Sequence, residues 1–176
     1  ESLTSTFTDR AIAYREENKI PQLKFALSIG VQKMVRSDLA SSGIMFTLDT
    51  ESGFQNVVLI SSIYGLGEMI VKGKITPDEF TVFKPTLKQG FESIIAQNMG
   101  RKTKKYIYNE QNARYIGFRY DIRKGGLKEV KVEKSLQEKF SITTQEIITL
   151  AKWACLIEEH YNLPQDIEWA KDGETN

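Results

Sequence analysis

The stretch that decides the fold is SGIMFTLDTESGFQNVVLISSIYGLGE, residues 42–68. Its two apolar runs, 42–50 and 56–64, have the length and the β-branched residues of strands. The Asp-Thr-Glu-Ser-Gly segment at 49–53 is typical of a turn, so the two runs predict a β-hairpin. The second run ends in Gly-Leu-Gly-Glu at 65–68, which predicts a strand-to-helix turn with unusual backbone angles at the glycines.

The longer glycine stretch, IYGLGEMIVKGK at 63–74, matches neither common phosphate-binding motif. A P-loop needs four residues between its two glycines and a hydroxyl residue after the lysine, whereas Gly67 and Gly73 are separated by five residues and Ile75 stands at the hydroxyl position. A dinucleotide fingerprint needs a third glycine where Ile70 stands. On spacing alone, a plain turn is the favoured interpretation.

Composition narrows the class of protein. The sequence has 176 residues, 40% of them hydrophobic and 27% charged, which is ordinary for one globular domain. A net charge of +1 provides no strong field for nucleic acid or a membrane surface. The single cysteine, Cys155, excludes an internal disulfide and fits a reducing, cytoplasmic setting. The chain starts without Met and in a predicted helix, so we expect it to be a piece of a longer protein.

Outward from the hairpin, strands and helices alternate. A helix is predicted over 8–19 and a half-buried strand over 25–35, where Phe25, Leu27, Ile29 and Val31 alternate with other residues. A further strand is predicted over 77–85. Strand pairs are predicted in the polar part of the chain, at 104–110 and 113–122.

The clearest helix signal lies at 143–162. Thr143 and Glu146 have the spacing of a capping box, and apolar residues then recur on one face. A final strand follows at 165–173. The predicted fold class is therefore α+β, with a mostly antiparallel sheet and flanking helices.

Three acidic residues are candidates for chemistry. Asp166 and Glu168 lie two apart in the last strand, so they share a face and could hold Mg²⁺ through oxygen. The alternative, favoured on the residues alone, is a solvated face of an amphipathic strand. Glu68, after the glycine turn, could bind a metal that bridges to phosphate, or it could be an acid placed favourably near a helix start.

For the remaining candidate residues, a structural interpretation is favoured over a functional one. The basic run RKTKK at 101–105 is predicted to be a solvated loop, and His160 a helix-end or boundary residue. Cys155 is predicted to be a small core residue. Because the chain has one His and one Cys, a Cys–His or Ser–His–Asp site is hard to build. Further scattered cations are Lys33, Arg36, Lys72, Lys74 and Lys84.

Four ordered blocks carry a resemblance to a known family. They are TFTDRAIAYR (6–15), VQKMVRSDLASSGIMFTLDTESG (31–53), SSIYGLGEMIVKGKITPDEFTVFKP (61–85) and EEHYNLPQDIEWAKDG (158–173). Together they resemble the phosphoenolpyruvate synthase (pyruvate, water dikinase) family. The resemblance covers nearly the whole chain and is weakest over about 100–135.

The resemblance implies an ATP-grasp-type nucleotide-binding domain that uses ATP and Mg²⁺. In that family the β-phosphoryl group of ATP passes to a histidine on a separate domain and then to pyruvate on a third, with phosphoenolpyruvate, AMP and phosphate as products. Residues 1–176 would be a single partial domain, the C-terminal part of the nucleotide-binding domain. The phosphohistidine and pyruvate domains would be absent, and we expect the chain alone to be inactive.

The resemblance also implies roles for particular residues. The residues expected beside the adenine ring are Gln32, Met34 and Val35. Glu68 would lie by the ribose or the metal-bound phosphates. Glu168 would be the principal magnesium ligand, with Asp166 in support. Some relatives have a glutamate near the position of Ser61. The resemblance therefore does not establish a second acid in the site at this position.

Other functions stay open. The main alternative is a non-catalytic nucleotide-binding or interaction module, and a second is a related phosphotransferase with a different acceptor. A nucleic-acid binder is disfavoured because no aromatic residues interleave with the basic run in a recognisable module. Half of a cleft would expose apolar surface, so we also expect self-association.

Overall fold

The structure is a computed structural model that describes residues 4–22, 26–112, 114–116, 119–121 and 126–175. The chain divides into two units, Glu1–Met34 and Val35–Asn176. The helices are α1 (Asp9–Glu17), α2 (Glu68–Val71), α3 (Lys84–Lys88), α4 (Lys134–Gln137) and α5 (Thr144–Tyr161). The strands are β1 (Ser41–Phe46), β2 (Val57–Tyr64), β3 (Asp78–Phe83), β4 (Ile94–Asn98), β5 (Lys104–Tyr108), β6 (Arg114–Ile116), β7 (Arg119–Asp121), β8 (Leu127–Lys131) and β9 (Asp166–Ala170).

The described part of the first unit contains α1 and, from residue 26, a segment without helix or strand. The helix begins after Thr8, whose side chain accepts a hydrogen bond from the Ala11 backbone N–H. The strand predicted over 25–35 is wrong, since residues 26–35 form neither helix nor strand. Phe25 lies outside the described residues. Alternation alone predicts a strand only where a partner strand and a core are available, and Val31 is 95% exposed here.

The second unit is built on an antiparallel sheet with the strand order β4-β3-β2-β1-β9. Strands β1 and β2 form the predicted hairpin, with Ser41 opposite Tyr64 and Phe46 opposite Leu59. Strand β9, near the end of the chain, pairs with the free edge of β1. The hairpin therefore lies in the middle of the sheet, which is why its sequence decides the fold.

Helix α5 covers one face of this sheet and forms the core with it. The buried apolar side chains of the strands include Met45, Ile60 and Phe80, and those of the helix include Ile147 and Ala154. The cluster is extended by Ile167 and Trp169, the inward-facing residues of β9. Their burial leaves the alternate residues of each strand on the opposite face.

The ends of α5 confirm the predicted signals. Thr143 accepts from the Glu146 N–H while the Glu146 carboxylate accepts from the Thr143 N–H, which completes the capping box. Asn162 ends the helix in the left-handed conformation, with φ of 54°. Cys155 is buried in the helix and is a free thiol, as predicted for a core residue.

Between β4 and α5 the chain forms two antiparallel ribbons. Strand β5 pairs with β8, and β6 pairs with β7, in agreement with the predicted strands at 104–110 and 113–122. The predicted residues Ala113, Gly117, Phe118 and Ile122 lie outside the described part of the chain. Strands β4 and β8 were not predicted, nor were α3 and α4.

The basic run 101–105 is not wholly a solvated loop, because Lys102 is completely buried. Its ammonium group forms an ion pair with Asp78, which is also completely buried. Asp78 accepts further hydrogen bonds from the Gly100 N–H at 3.0 Å and from the N–H and hydroxyl of Ser141 at 2.7 Å each. Lys84 is buried too, and its ammonium contacts Glu158 at 2.6 Å.

The predicted fold class is confirmed: the chain is α+β, with a mostly antiparallel sheet flanked by helices. Among the described residues, no helix combines the length and the apolar character that crossing a bilayer requires.

Candidate functional site

A cleft of about 430 Å³ opens beside β1 and β9, next to the turn that leads into α2. Two of the three acidic residues predicted to belong to the site, Glu68 and Glu168, line it. They are 100 residues apart in the chain (168 minus 68) and are brought together because β9 pairs with β1. The other lining residues are Ser37, Ser42, Gly43, Ile44, Gly67, Val71, Trp169 and Ala170.

The glycine turn holds Glu68 at the cleft. Gly65 has a φ of +82°, and a Cβ atom there would lie 2.5 Å from the Tyr106 carbonyl oxygen. The Leu66 N–H donates to that same oxygen at 3.1 Å, and the Ser42 hydroxyl donates to the Gly65 carbonyl at 2.6 Å. These contacts need a residue without a side chain at position 65, so the predicted turn is confirmed at Gly65. The unusual backbone angles predicted for Gly67 are wrong, since it has an ordinary right-handed helical conformation, with φ of −63° and ψ of −12°.

Glu68 is the first residue of α2 and forms an ion pair with Lys72, one turn later. Both side chains are partly exposed. The hydrogen bond to Glu68 raises the pKa of Lys72. The pair holds an ammonium group beside the Glu68 carboxylate, which lines the cleft. An anionic ligand there would attract the lysine, and a cation would attract the glutamate.

On β9 the predicted division of faces is confirmed. Asp166 and Glu168 are exposed, while Ile167 and Trp169 are partly buried against the core. Glu168 lies directly opposite Ile44 of β1, and Asp166 lies opposite Phe46. Glu168 therefore faces the cleft, and Asp166 is on the same face but outside the set of residues that line it.

The acids do not form a closed metal site. Within the described residues there is no group of three or more His, Cys, Asp or Glu side chains that could hold an ion. One or two carboxylates are nevertheless the usual protein ligands of Mg²⁺, which keeps several waters and takes its remaining ligands from substrate phosphates. Glu168 and Glu68 fit that open type of site, with oxygen ligands at one cleft.

The whole chain, residues 1–176, matches the model of the family described as pyruvate phosphate dikinase, AMP/ATP-binding domain. The chain belongs to this family. The resemblance found in the sequence is thereby confirmed, and the cleft beside β1 and β9 is a cleft in an AMP/ATP-binding domain.

Three similar proteins are all named phosphoenolpyruvate synthase. The one from Aquifex aeolicus is 51% identical over 98% of this chain, the one from Synechocystis is 49% identical over 97%, and the one from Escherichia coli is 49% identical over 97%. The matched part is 19–20% of each of these proteins. The chain thus spans about a fifth of the length of the relatives it matches.

The residues expected beside adenine are divided between the two units of the chain. Gln32 and Met34 belong to the first unit, and Val35 begins the second. Ser37, two residues after Val35, lines the cleft. The grouping of Gln32, Met34 and Val35 with Glu68 stays a prediction.

Arg36 is a residue whose importance the sequence did not reveal. Its guanidinium group donates to both carboxylate oxygens of Asp38, at 2.8 and 2.9 Å, to Glu110 at 2.9 Å and to Glu174 at 3.1 Å. Its backbone N–H donates to Asp172 at 3.1 Å. The hydrogen bonds to Asp38 raise the pKa of Arg36. Arg36 thus ties the segment entering β1 to the residues that follow β9.

One more acidic residue, Glu79, lies on the same face of the sheet as Glu168. In register across the strands, Glu168, Ile44, Ser61, Glu79 and Asn98 form a single row. Ser61 is therefore followed, one strand further from the cleft, by an exposed glutamate. No local motif marks Glu79, and only the strand register could have identified it.

Proposed function

We propose that this chain is the ATP-binding part of a pyruvate, water dikinase, which converts ATP, pyruvate and water to phosphoenolpyruvate, AMP and phosphate through a phosphohistidine. The observation that carries the proposal is that Glu68 and Glu168 line one cleft in a chain of the AMP/ATP-binding domain family. The name shared by the similar proteins supports the choice of pyruvate as the final acceptor.

The role of the cleft residues is to position the nucleotide and to balance its charge. In phosphoryl transfer the protein does little covalent chemistry and acts mainly through alignment and electrostatic stabilisation. Glu168 would be the principal protein ligand of Mg²⁺, supported by Asp166, because both carboxylates project from the open face of β9. Bound Mg²⁺ would neutralise charge on the phosphates.

Glu68 would lie beside the ribose or the metal-bound phosphates. Its present partner, Lys72, lies one helical turn away and is partly exposed, so it is free to turn towards a phosphate oxygen when a ligand enters. Gln32, Met34 and Val35 would contact the adenine ring. The histidine that receives the phosphoryl group and the pyruvate site would belong to other parts of a longer protein.

Further parts of the proposal concern the metabolic role, the compartment, the binding partners and the behaviour of the chain alone. A reaction that makes phosphoenolpyruvate from pyruvate serves gluconeogenesis, and we place it in the cytoplasm. Pyruvate would bind elsewhere, and neither nucleic acid nor a membrane would be a partner. The chain alone would bind ATP weakly, lack catalytic activity and self-associate. Light scattering that gives a monomer mass over a wide concentration range would contradict the last point.

The direct test is a calorimetric titration of the chain with Mg-ATP. We expect a dissociation constant of roughly 1 mM, equivalent to about −4 kcal/mol. Glu168→Gln should weaken Mg-ATP binding by about tenfold or more, because it removes a charge-assisted metal ligand without changing size. Glu159→Gln is the matched control, since Glu159 lies on α5, across the sheet from the cleft.

Magnesium dependence separates this proposal from its main alternative. ATP binding that is unaffected by Mg²⁺ and by Glu168→Gln would favour a non-catalytic nucleotide-binding module. Mg-ATP binding that is lost equally in Glu159→Gln would contradict the assignment of the site. An absence of binding up to about 10 mM Mg-ATP would contradict nucleotide binding by this chain.

A further inference from the structure

Ser37 brings to the cleft beside β1 and β9 a hydroxyl group that lacks a partner. The residue lines the cleft and is only 5% exposed. Its backbone carbonyl accepts a hydrogen bond from the Ala40 N–H at 2.9 Å, but its hydroxyl has no hydrogen-bond partner among the described residues. The hydroxyl oxygen is not one of the fully enclosed unpartnered polar atoms, so a ligand can reach it. A nearly buried polar group without a partner is costly unless another molecule completes its hydrogen bonds.

Ser42 provides a contrast within the same cleft. It lines the cleft and is 3% exposed, but its hydroxyl donates to the Gly65 carbonyl at 2.6 Å. The hydroxyl of Ser42 therefore stabilises the glycine turn, whereas that of Ser37 stabilises no contact in the described part of the chain. Of these two buried serines, only Ser37 has a hydroxyl that is available to a ligand.

The residues on either side of Ser37 are held in place. The Arg36 backbone N–H donates to the Asp172 carboxylate at 3.1 Å, and the Arg36 carbonyl accepts from the Gly173 N–H at 3.1 Å. Asp38 is buried and accepts two hydrogen bonds from the Arg36 guanidinium group. A hydroxyl that is fixed in this way before a ligand arrives loses little conformational entropy on binding.

The surroundings of Ser37 favour a neutral part of a nucleotide over a phosphate. The described residues that line the cleft include the acids Glu68 and Glu168 but no Lys or Arg. A phosphate would therefore meet like charge there unless a metal ion lay between them. A serine hydroxyl both donates and accepts hydrogen bonds, as a ribose hydroxyl does. Ser37 also lies two residues after Val35, which is expected beside adenine, and ribose is the part of a nucleotide next to the base.

We infer that Ser37 is a specificity-determining residue, whose hydroxyl forms a hydrogen bond with a ribose hydroxyl of the nucleotide. The inference rests on the proposed function, since it requires a nucleotide in this cleft. It adds a neutral sugar contact to the acids of the site, and it makes the cleft distinguish ATP from a nucleotide whose sugar lacks hydroxyl groups.

The experiment compares Mg-ATP with Mg-2′,3′-dideoxy-ATP, which lacks both ribose hydroxyls, by nuclear magnetic resonance titration of the chain. The unmodified chain should bind ATP at least about fivefold more tightly, the effect of one typical hydrogen bond. Ser37→Ala should reduce this preference by about fivefold, by weakening the binding of ATP alone. Its midpoint in urea should not change, because the hydroxyl has no partner among the described residues.

Ser42→Ala is the matched variant, because it removes a hydroxyl from the same cleft. It should weaken the binding of both nucleotides equally, since it acts through the glycine turn, and leave the preference for ATP intact. A preference that persists in Ser37→Ala, or an equal loss of affinity for both nucleotides in that variant, overturns the inference and leaves the proposed function in place. Failure of the unmodified chain to bind either nucleotide contradicts both.

A second measurement needs no variant. At equal saturation, the amide signals of Ser37 and Asp38 should shift more with Mg-ATP than with Mg-2′,3′-dideoxy-ATP, while signals of the 49–53 turn should not differ. Equal shifts of Ser37 and Asp38 with the two nucleotides would overturn the inference.

Discussion

The buried ion pair between Lys102 and Asp78 gives the sharpest stability prediction. Breaking a buried pair by removing one partner costs about 3–5 kcal/mol, because a charge is left without compensation. In Lys102→Met the Asp78 carboxylate keeps three donors, from the Gly100 N–H and from the N–H and hydroxyl of Ser141. We therefore expect a loss near the lower end of that range, about 3 kcal/mol.

Substitution of the other partner of the ion pair, Asp78, should cost more free energy of unfolding. In Asp78→Asn the Lys102 ammonium loses its charged partner and keeps only neutral acceptors, the Gly100 carbonyl at 3.0 Å and the new amide oxygen. The new amide group also presents a donor to neighbours that are themselves donors. We expect a loss near the upper end, about 5 kcal/mol, which is a large part of the 5–15 kcal/mol typical of a folded domain.

Urea unfolding followed by circular dichroism measures both losses as changes in the free energy of unfolding. Lys104→Met is the control, since Lys104 is a partly exposed neighbour paired with Glu129 at the surface, and it should leave the midpoint unchanged. The reasoning is refuted if Lys102→Met is as harmless as Lys104→Met, or if it costs more than Asp78→Asn.

Three further predictions follow from the packing and the electrostatics. Gly43→Ala should cost about 3 kcal/mol in urea unfolding, because a Cβ would lie 1.8 Å from the Ser61 carbonyl oxygen. Burial opposes ionisation of Glu146, but the hydrogen bonds from Lys171 and from the helix cap outweigh it and lower its pKa. The stability that Glu146 contributes over Glu146→Gln should therefore be complete above pH 4.5 and be lost as pH falls through the lowered value. Burial also raises the pKa of Cys155, so a thiol reagent should label it only as fast as the chain opens.

Each of these three predictions would be contradicted by a specific result. Gly30→Ala, where a Cβ would meet no atom within 4 Å, should be nearly neutral, and equal losses at Gly43 and Gly30 would remove the steric explanation. A difference between native and Glu146→Gln chains that stays constant from pH 7 to pH 2.5 would show that the charge is irrelevant to the cap. Rapid labelling of Cys155 without denaturant would show that the thiol is accessible in the folded chain.

The parts of the fold that were predictable are those with local signals. The hairpin of β1 and β2 has apolar runs around a turn, and α5 has a capping box and a left-handed end residue, all of which act within a few residues. Strand β4 was missed because its sequence, Ile-Ile-Ala-Gln-Asn, lies at an edge and has no clear alternation. The alternating segment 25–35 was overpredicted for the opposite reason, since a pattern does not provide a partner strand.

The acidic residues that line the candidate site could be singled out from the sequence, but the buried charged residues that hold the surrounding segments together could not. Glu68 and Glu168 were marked by the resemblance, and sheet register then brings both to one cleft. The partners of Arg36 lie as far as 138 residues away, and Lys102 pairs with Asp78 across 24 residues. A charged residue that is buried by such distant partners has the same local sequence as a solvated one, so only the folded chain distinguishes them.

The measurement that tests the central claim most directly is nuclear magnetic resonance of the isotope-labelled chain with ATP and Mn²⁺ in place of Mg²⁺. Paramagnetic Mn²⁺ broadens the amide signals nearest to it, so it locates the metal without relying on activity. The account predicts selective broadening at Glu168 and at Gly67 and Glu68, with the outer face of α5 unaffected. Broadening centred elsewhere, such as at the acidic 49–53 turn, would contradict the proposed nucleotide and metal site.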